Sequence, residues 1–261
     1  MMTTARGRRG DDPPSWRRRR WTRLIVRAVQ VLAALIALGA LAFGALWLAT
    51  PSVGNARQLA QDITRTHHVA YPGPPVPAKF AAALEATEDH RFNDEPGIDP
   101  YAIARLGFDE VTGKGDQGAA TLYAQLAKML YTAGDSSLAA QVEQGMLAIK
   151  LWAGLGGPEV LRLYSDVTYF GNGFYGIAAA SCGYFGVHPA DMSWPQAALL
   201  AGLVQGPTVD DPLKFPAHAL AREQHVLGRL VATGALTSAQ ASAYERIPLS
   251  SLVAGAGGCT G

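Results

Sequence analysis

Two adjacent acids, Glu88 and Asp89, end an apolar stretch that starts at Pro77 and runs through Phe80 and Leu84. At about 100° per residue in a helix, Phe80, Leu84 and Glu88 fall on one side, so Glu88 continues an apolar row. A carboxylate in such a row loses part of its hydration. That raises its pKa and lets it accept or donate a proton near neutrality, as a general acid or base must. The same spacing fits a helix-end glutamate in water or in a salt bridge. A second row follows the Gly-rich stretch Thr112 to Gly118 (TGKGDQG): Thr121, Gln125 and Lys128 share one helical face, and Leu122, Leu126 and Met129 share another. A helix N-terminus offers free backbone N–H groups and the positive end of its dipole, and Lys128 adds a full charge, so this face suits an anion. An ordinary solvated face has the same pattern.

Helices must carry both rows, and the chain reads as helical nearly throughout. Pro77 suits the first turn of the helix that ends in the acids, and Asn93 to Gly97 breaks it. Pro100 opens a helix to about Val111, and the Gly-rich loop leads into another over 119–131. Beyond Ser136, one helix carries Leu147, Ile149 and Leu151 to about Gly154, and the next starts at Pro158 and runs through Leu161 and Tyr164. Tyr169 to Gly173 (YFGNG) is a turn, followed by an apolar helix from Ile177. Ser193 can cap a helix containing Ala197 to Leu203, and Thr237 with Gln240 makes a capping box for the last one. No stretch alternates as a strand does, so the fold class is mainly α.

Charge and hydropathy separate the chain into parts. The net charge of +1 hides an asymmetry, because residues 1–27 hold nine arginines against Asp11 and Asp12, leaving the remainder acidic. That distribution excludes a basic nucleic-acid protein. Val31 to Thr50 carries no charge and, at about 1.5 Å per residue, spans a bilayer core. A cleaved signal peptide would have a shorter apolar region and a small-residue cleavage site, so an uncleaved anchor is expected. The arginine cluster then holds the N-terminus in the cytoplasm, and Trp21 and Trp47 suit the two interfaces. The expected organisation is a disordered Arg-rich tail over 1–23, an anchor over 24–50, a linker over 51–76, a helical domain over 77–247 and a loose tail over 248–261. Cys182 and Cys259 lack metal-ligand spacing, and both a disulfide and two free thiols stay open. The histidines form no HExxH or comparable cluster, and no protein metal site is predicted.

Several of these stretches resemble a known family. Glu88 to Asp99 (EDHRFNDEPGID) is similar to the first motif of glycosyltransferase family 51, the peptidoglycan glycosyltransferases of bifunctional penicillin-binding proteins and monofunctional enzymes. Gly118 to Lys128 (GAATLYAQLAK) resembles the second motif. Leu163 to Ile177, Tyr184 to Gly186 and Ala197 to Asp211 resemble later stretches, in the family order. The resemblance implies a lysozyme-like helical fold on a membrane anchor, with the catalytic domain outside the cell membrane, polymerising lipid II into glycan strands. It implies that Glu88 is the general base for the acceptor 4-hydroxyl, that Asp89 supports the motif, and that Thr121, Gln125, Lys128 and Arg91 contact substrate. It also implies a divalent metal, Mg²⁺ or Mn²⁺, near the pyrophosphate, for which Asp116 and Glu95 are the candidate carboxylates. The partners implied are lipid II, the growing strand, the membrane and other cell-wall synthesis proteins. The chain departs from the family at Ala120 and Ala124, and its third motif, AQVEQ over 140–144, lacks the basic pair and has Gln144 at the second carboxylate. Glu143 is the nearest acid to replace it, and Lys150 and Lys114 are the candidates for the lost positive charge. A catalytically weak relative that binds lipid II or a synthesis partner is therefore the alternative, and glycan cleavage a further one. No SxxK motif occurs, so a transpeptidase role has no support in this sequence.

Overall fold

The computed structural model describes residues 15–99, 121–253 and 259. The chain divides into two compact units, Met1–Ala49 and Thr50–Gly261. In the first, a helix α1 (Ser15–Ala49) contains the segment Arg23–Ala49, long and apolar enough to cross a membrane. Its leucines, isoleucines and valines, from Leu24 to Leu48, are exposed, with no protein core of their own to enter. The sequence predicts disorder through residue 23, but the helix begins at Ser15. Arginine is a good helix former, and Arg17 to Arg20 extend the apolar helix backwards.

The second unit is built around an element that is apolar on every side. Helix α8 (Trp194–Leu203) has Ala197 to Ala201 and Leu203 fully buried, as an all-round apolar helix must be. Its start is fixed by the predicted cap Ser193, here one half of a capping box: Ser193 accepts from the Gln196 N–H and the Gln196 side chain accepts from the Ser193 N–H. Helix α3 (Ala78–Glu88) packs on α8 through Phe80, Ala83 and Leu84, and α9 (Pro216–Ala232) packs on both. A second group joins them: α2 (Ala56–Thr66), α4 (Leu122–Tyr131), α5 (Leu138–Leu155), α6 (Gly157–Val167) and α7 (Gly176–Phe185), with α4 packed on α5 and α6. A 3₁₀ turn at Pro189–Asp191 and the helices α10 (Ser238–Tyr244) and α11 (Leu249–Leu252) complete the unit. Among the described residues there is no strand, only an isolated bridge between Tyr169 and Tyr175 that closes the YFGNG turn. The architecture is mainly α.

Several boundaries differ from the sequence reading. Helix α3 ends at Glu88, earlier than the predicted break at Asn93, because Asp89 turns its side chain to the next motif instead of continuing the helix. Helix α4 begins at Leu122, with Thr121 as its N-cap. The predicted helix from Pro100 to Val111 and the Gly-rich loop lie outside the described residues. Cys182 and Cys259 are joined in a disulfide, which settles the open alternative. The segment read as a loose tail from Pro248 instead contains α11 and, through Cys259, is tied to α7. Two glycines are required by close approach. A Cβ at Gly97 would meet the Ala148 carbonyl oxygen at 2.4 Å, where the first-motif loop passes α5. A Cβ at Gly171 would meet the Pro207 carbonyl oxygen at 2.2 Å, where the YFGNG turn presses on the segment after α8.

Candidate active site

Helices α3 and α4 bring the two predicted rows together. The Gln125 amide donates to Glu88 Oε2 at 3.0 Å, and the Tyr164 hydroxyl donates to Gln125 Oε1 at 2.7 Å. Tyr164 is 1% exposed, so α6 supplies a fixed third member behind the two polar groups. Burial raises the Glu88 pKa above the ordinary glutamate value, and the Asp89 carboxylate adds to that rise. The Gln125 amide and the Arg222 guanidinium oppose it by favouring the ionised form. Glu88 thus sits where a carboxylate can both form and take up a proton.

These groups open onto a cleft of about 520 Å³. Glu88, Gln125, Lys128 and Tyr164 line it, together with Gln144 and Ser136 and, from the other side, Tyr169 and Gln205. Lys128 donates to Ser136 Oγ at 2.7 Å, which holds its ammonium at the cleft. A general base at one place and a cation at another can serve a displacement in which a hydroxyl is deprotonated and an anionic group departs.

Other predicted site residues lie elsewhere. Asp89 is buried, and its Oδ2 accepts the Leu122 N–H at 2.9 Å, satisfying one orphan donor of α4. Thr121 is buried as the N-cap of the same helix, accepting from the Ala124 N–H at 3.1 Å and donating to the Gly97 carbonyl at 2.6 Å. Asp89 and Thr121 therefore join the first motif to the second, outside the cleft lining. Arg91 pairs with Asp99. Gln144 does line the cleft, but its amide donates to Thr132 Oγ1 at 2.8 Å and to the Asp135 carbonyl at 2.7 Å. Glu143 is partly buried on α5 and is not among the cleft-lining residues. Lys150 is buried, and its Nζ donates to the carbonyls of Thr50 and Pro51 at 2.8 and 3.0 Å. It holds the start of the second unit to α5 and does not line the cleft. Of the two candidate metal carboxylates, Asp116 lies outside the described residues. Glu95 is buried, its pKa raised by burial and by Asp89 and Asp99, and it does not line the cleft.

Tyr164, Tyr169, Ser136 and Gln205 are among the lining residues that the sequence reading did not single out. Tyr164 lies on α6 and Tyr169 beyond its end, in the YSDVTY stretch, where no helical spacing links the two. Ser136 and Gln205 lie in connections whose placement depends on tertiary packing.

A family model described as transglycosylase matches residues 56–231. Penicillin-binding protein 1A of Aquifex aeolicus is 35% identical over 175 residues, covering 67% of this chain and 24% of that protein. Penicillin-binding protein 1A of Streptococcus oralis is 33% identical over 196 residues, covering 74% of this chain and 30% of that protein. A predicted transglycosylase of Cupriavidus necator is 30% identical over 162 residues, covering 62% of this chain and 70% of its own. The chain thus spans about a quarter to a third of the penicillin-binding proteins it matches. The crystal structure of penicillin-binding protein 1A from Haemophilus influenzae aligns with 49% of the chain at 24% identity and a TM-score of 0.34. With the family model matched from α2 to the end of α9, across every element that lines the cleft, the chain belongs to the transglycosylase family, glycosyltransferase family 51.

Proposed function

We propose that this chain is a membrane-anchored peptidoglycan glycosyltransferase that polymerises lipid II, with Glu88 as general base. The observation that carries the reading is the desolvated Glu88 carboxylate, held by the Gln125 amide in a cleft that also contains Lys128. In the proposed step, Glu88 takes the proton of the acceptor sugar hydroxyl as its oxygen bonds to the anomeric carbon of the growing chain. The bond from that carbon to the phosphate oxygen breaks, and the lipid pyrophosphate leaves. Lys128 offsets the charge that gathers on it. Asp89 and Thr121 act from behind by fixing α4 to the loop after α3, so that the base and the cation keep their separation. A divalent metal, Mg²⁺ or Mn²⁺, would supply further positive charge at the pyrophosphate.

Arginines on the N-terminal side of Arg23–Ala49 favour a cytoplasmic N-terminus, which places the cleft outside the cell membrane. A substrate that keeps its polyisoprenyl tail in the bilayer is met there by a catalyst confined to the same surface, at raised effective concentration.

One observation favours a second reading, in which the chain binds lipid II or a synthesis partner with little turnover. Among the described cleft-lining residues, Glu88 is the only carboxylate and Lys128 the only lysine or arginine. The test is polymerisation of labelled lipid II by the full-length chain with Mg²⁺ or Mn²⁺, beside Glu88→Gln. Polymer from the parent and none from the variant is expected. Binding without polymer from the parent protein would overturn the enzyme reading in favour of the second.

A further inference from the structure

The side-chain amide of glutamine has two ends of similar shape and opposite chemistry, an oxygen that accepts and an NH₂ that donates. Which end meets Glu88 decides what that contact does. An NH₂ facing Glu88 stabilises the carboxylate, whereas an oxygen facing it favours the protonated acid. Shape alone cannot choose between them, so the choice falls to a neighbour whose own hydrogen bond meets one end; a tyrosine hydroxyl, able to donate and to accept, makes it by the direction in which it bonds.

Tyr164 is such a neighbour. Its hydroxyl lies 2.7 Å from Gln125 Oε1, and Gln125 Nε2 lies 3.0 Å from Glu88 Oε2. The phenol is 1% exposed and carried on α6, which packs on α2, α4 and α7, so the ring has no room to swing away. Burial, with the nearby Glu88 charge, drives the Tyr164 pKa well above the ordinary tyrosine value, so the hydroxyl keeps its proton and remains available as a donor. Thr168, one turn on, donates to the Tyr164 carbonyl at 2.6 Å and firms the same turn of α6.

We propose that Tyr164 is a positioning residue for the base: by donating to Gln125 Oε1 it fixes the amide with its NH₂ toward Glu88. Tyr164 acts through Gln125. Its importance for catalysis rests on the proposed role of Glu88, but the geometry itself can be read without turnover. A failure of lipid II polymerisation therefore leaves this test standing, and the two readings fail separately.

The experiment is a carbon-13 NMR titration of the Glu88 carboxyl in the full-length chain in detergent micelles, with the resonance assigned by its loss in Glu88→Gln. Tyr164→Phe keeps the ring and removes only the donor, and Gln125→Met keeps the length and removes the amide. Tyr164→Phe is expected to raise the Glu88 midpoint by about half to one pH unit, the size of one net hydrogen bond. Gln125→Met should raise it at least as much. The double variant should shift no further than Gln125→Met alone, because the effect of Tyr164 passes through the missing amide. An unchanged midpoint in Tyr164→Phe, or a shift that adds in full to that of Gln125→Met, would overturn the proposal. A measurement on the parent protein covers the case in which Tyr164→Phe does not fold. The Gln125 side-chain NH₂ should give one orientation whose nitrogen-15 shift follows the Glu88 titration. Two interconverting orientations, or a shift indifferent to Glu88, would sink the idea equally.

Discussion

Replacing Glu223 with methionine is expected to stabilise the protein under alkaline conditions. Glu223 lies on α9, is 0% exposed, and neither of its carboxyl oxygens has a hydrogen-bond partner among the described residues. Burial, with repulsion from Glu245, pushes its pKa from 4.5 up to about 7. The group therefore binds its proton more tightly in the folded chain than in the unfolded one. Its contribution to stability is fully present below the unfolded value and is lost as the pH rises from about 4.5 through about 7. A difference of about 2.5 pH units at about 1.4 kcal/mol each gives an upper figure of about 3.5 kcal/mol, so about 2 to 3 kcal/mol is the expected loss. Methionine has nearly the same length and no charge to bury, so Glu223→Met should lack this slope. The assay is urea unfolding of the full-length chain in detergent, followed by circular dichroism at about pH 5 and about pH 8.5. The difference between parent and variant isolates Glu223 from the other raised carboxyls, Glu88 and Glu95 among them. The reasoning fails if the variant gains nothing at the higher pH, or if it keeps the parent's fall.

Asp89→Ala removes a charge-assisted acceptor from the Leu122 N–H and, with it, the tie between α4 and the end of α3. A loss of about 1.5–3 kcal/mol in unfolding free energy is expected, reduced because Glu95 is relieved of a like charge beside it; a stability equal to the parent's would argue against the tie. Gln144→Glu, the change that returns a carboxylate to the third motif, is expected to destabilise by about 1–3 kcal/mol and to leave polymerisation no higher. Its new oxygens would face the Asp135 carbonyl, which now accepts from the amide, and a gain in polymer yield from this variant would refute that account.

How far the site could be read from sequence depended on whether a residue's partner was near it in the chain. Glu88 was legible because Phe80 and Leu84 precede it at helical spacing, and the structure buries both. Gln125 and Lys128 were legible for the same reason, as one face of a helix that does line the cleft. Thr121 shares their face but stands at the boundary, where periodicity cannot distinguish a cap from a first turn, and its hydroxyl is spent on Gly97 and Ala124. Lys150 was read as a substitute for the positive charge missing from the third motif. Its partners are carbonyls about a hundred residues earlier in the chain, which no local pattern reveals. The disulfide was hidden in the same way, since 77 residues separate its cysteines. The core was plainer: a stretch such as Ala197 to Leu203 has no polar side to present to water and could only be buried.

The partners of Glu88 also bear on which reaction the cleft suits. Hydrolysis of a glycosidic bond of the usual kind calls on two carboxyl groups, one of which must hold a proton and give it to the departing sugar oxygen. The described cleft lining contains one carboxylate; burial raises its pKa, the Gln125 amide and the Arg222 charge oppose that rise by favouring the ionised form, and no second carboxyl group there shares the work. A carboxylate so held is suited to take a proton from an incoming hydroxyl. Displacement of a pyrophosphate needs no acid at the leaving group, because that group departs as an anion and can be met by Lys128. The proposed transfer to an acceptor sugar calls for a single base and a cation, whereas cleavage of the usual kind calls for a second carboxyl group. On this chemistry the loss of the second carboxylate at Gln144 removes less from a transferase than it would from a hydrolase.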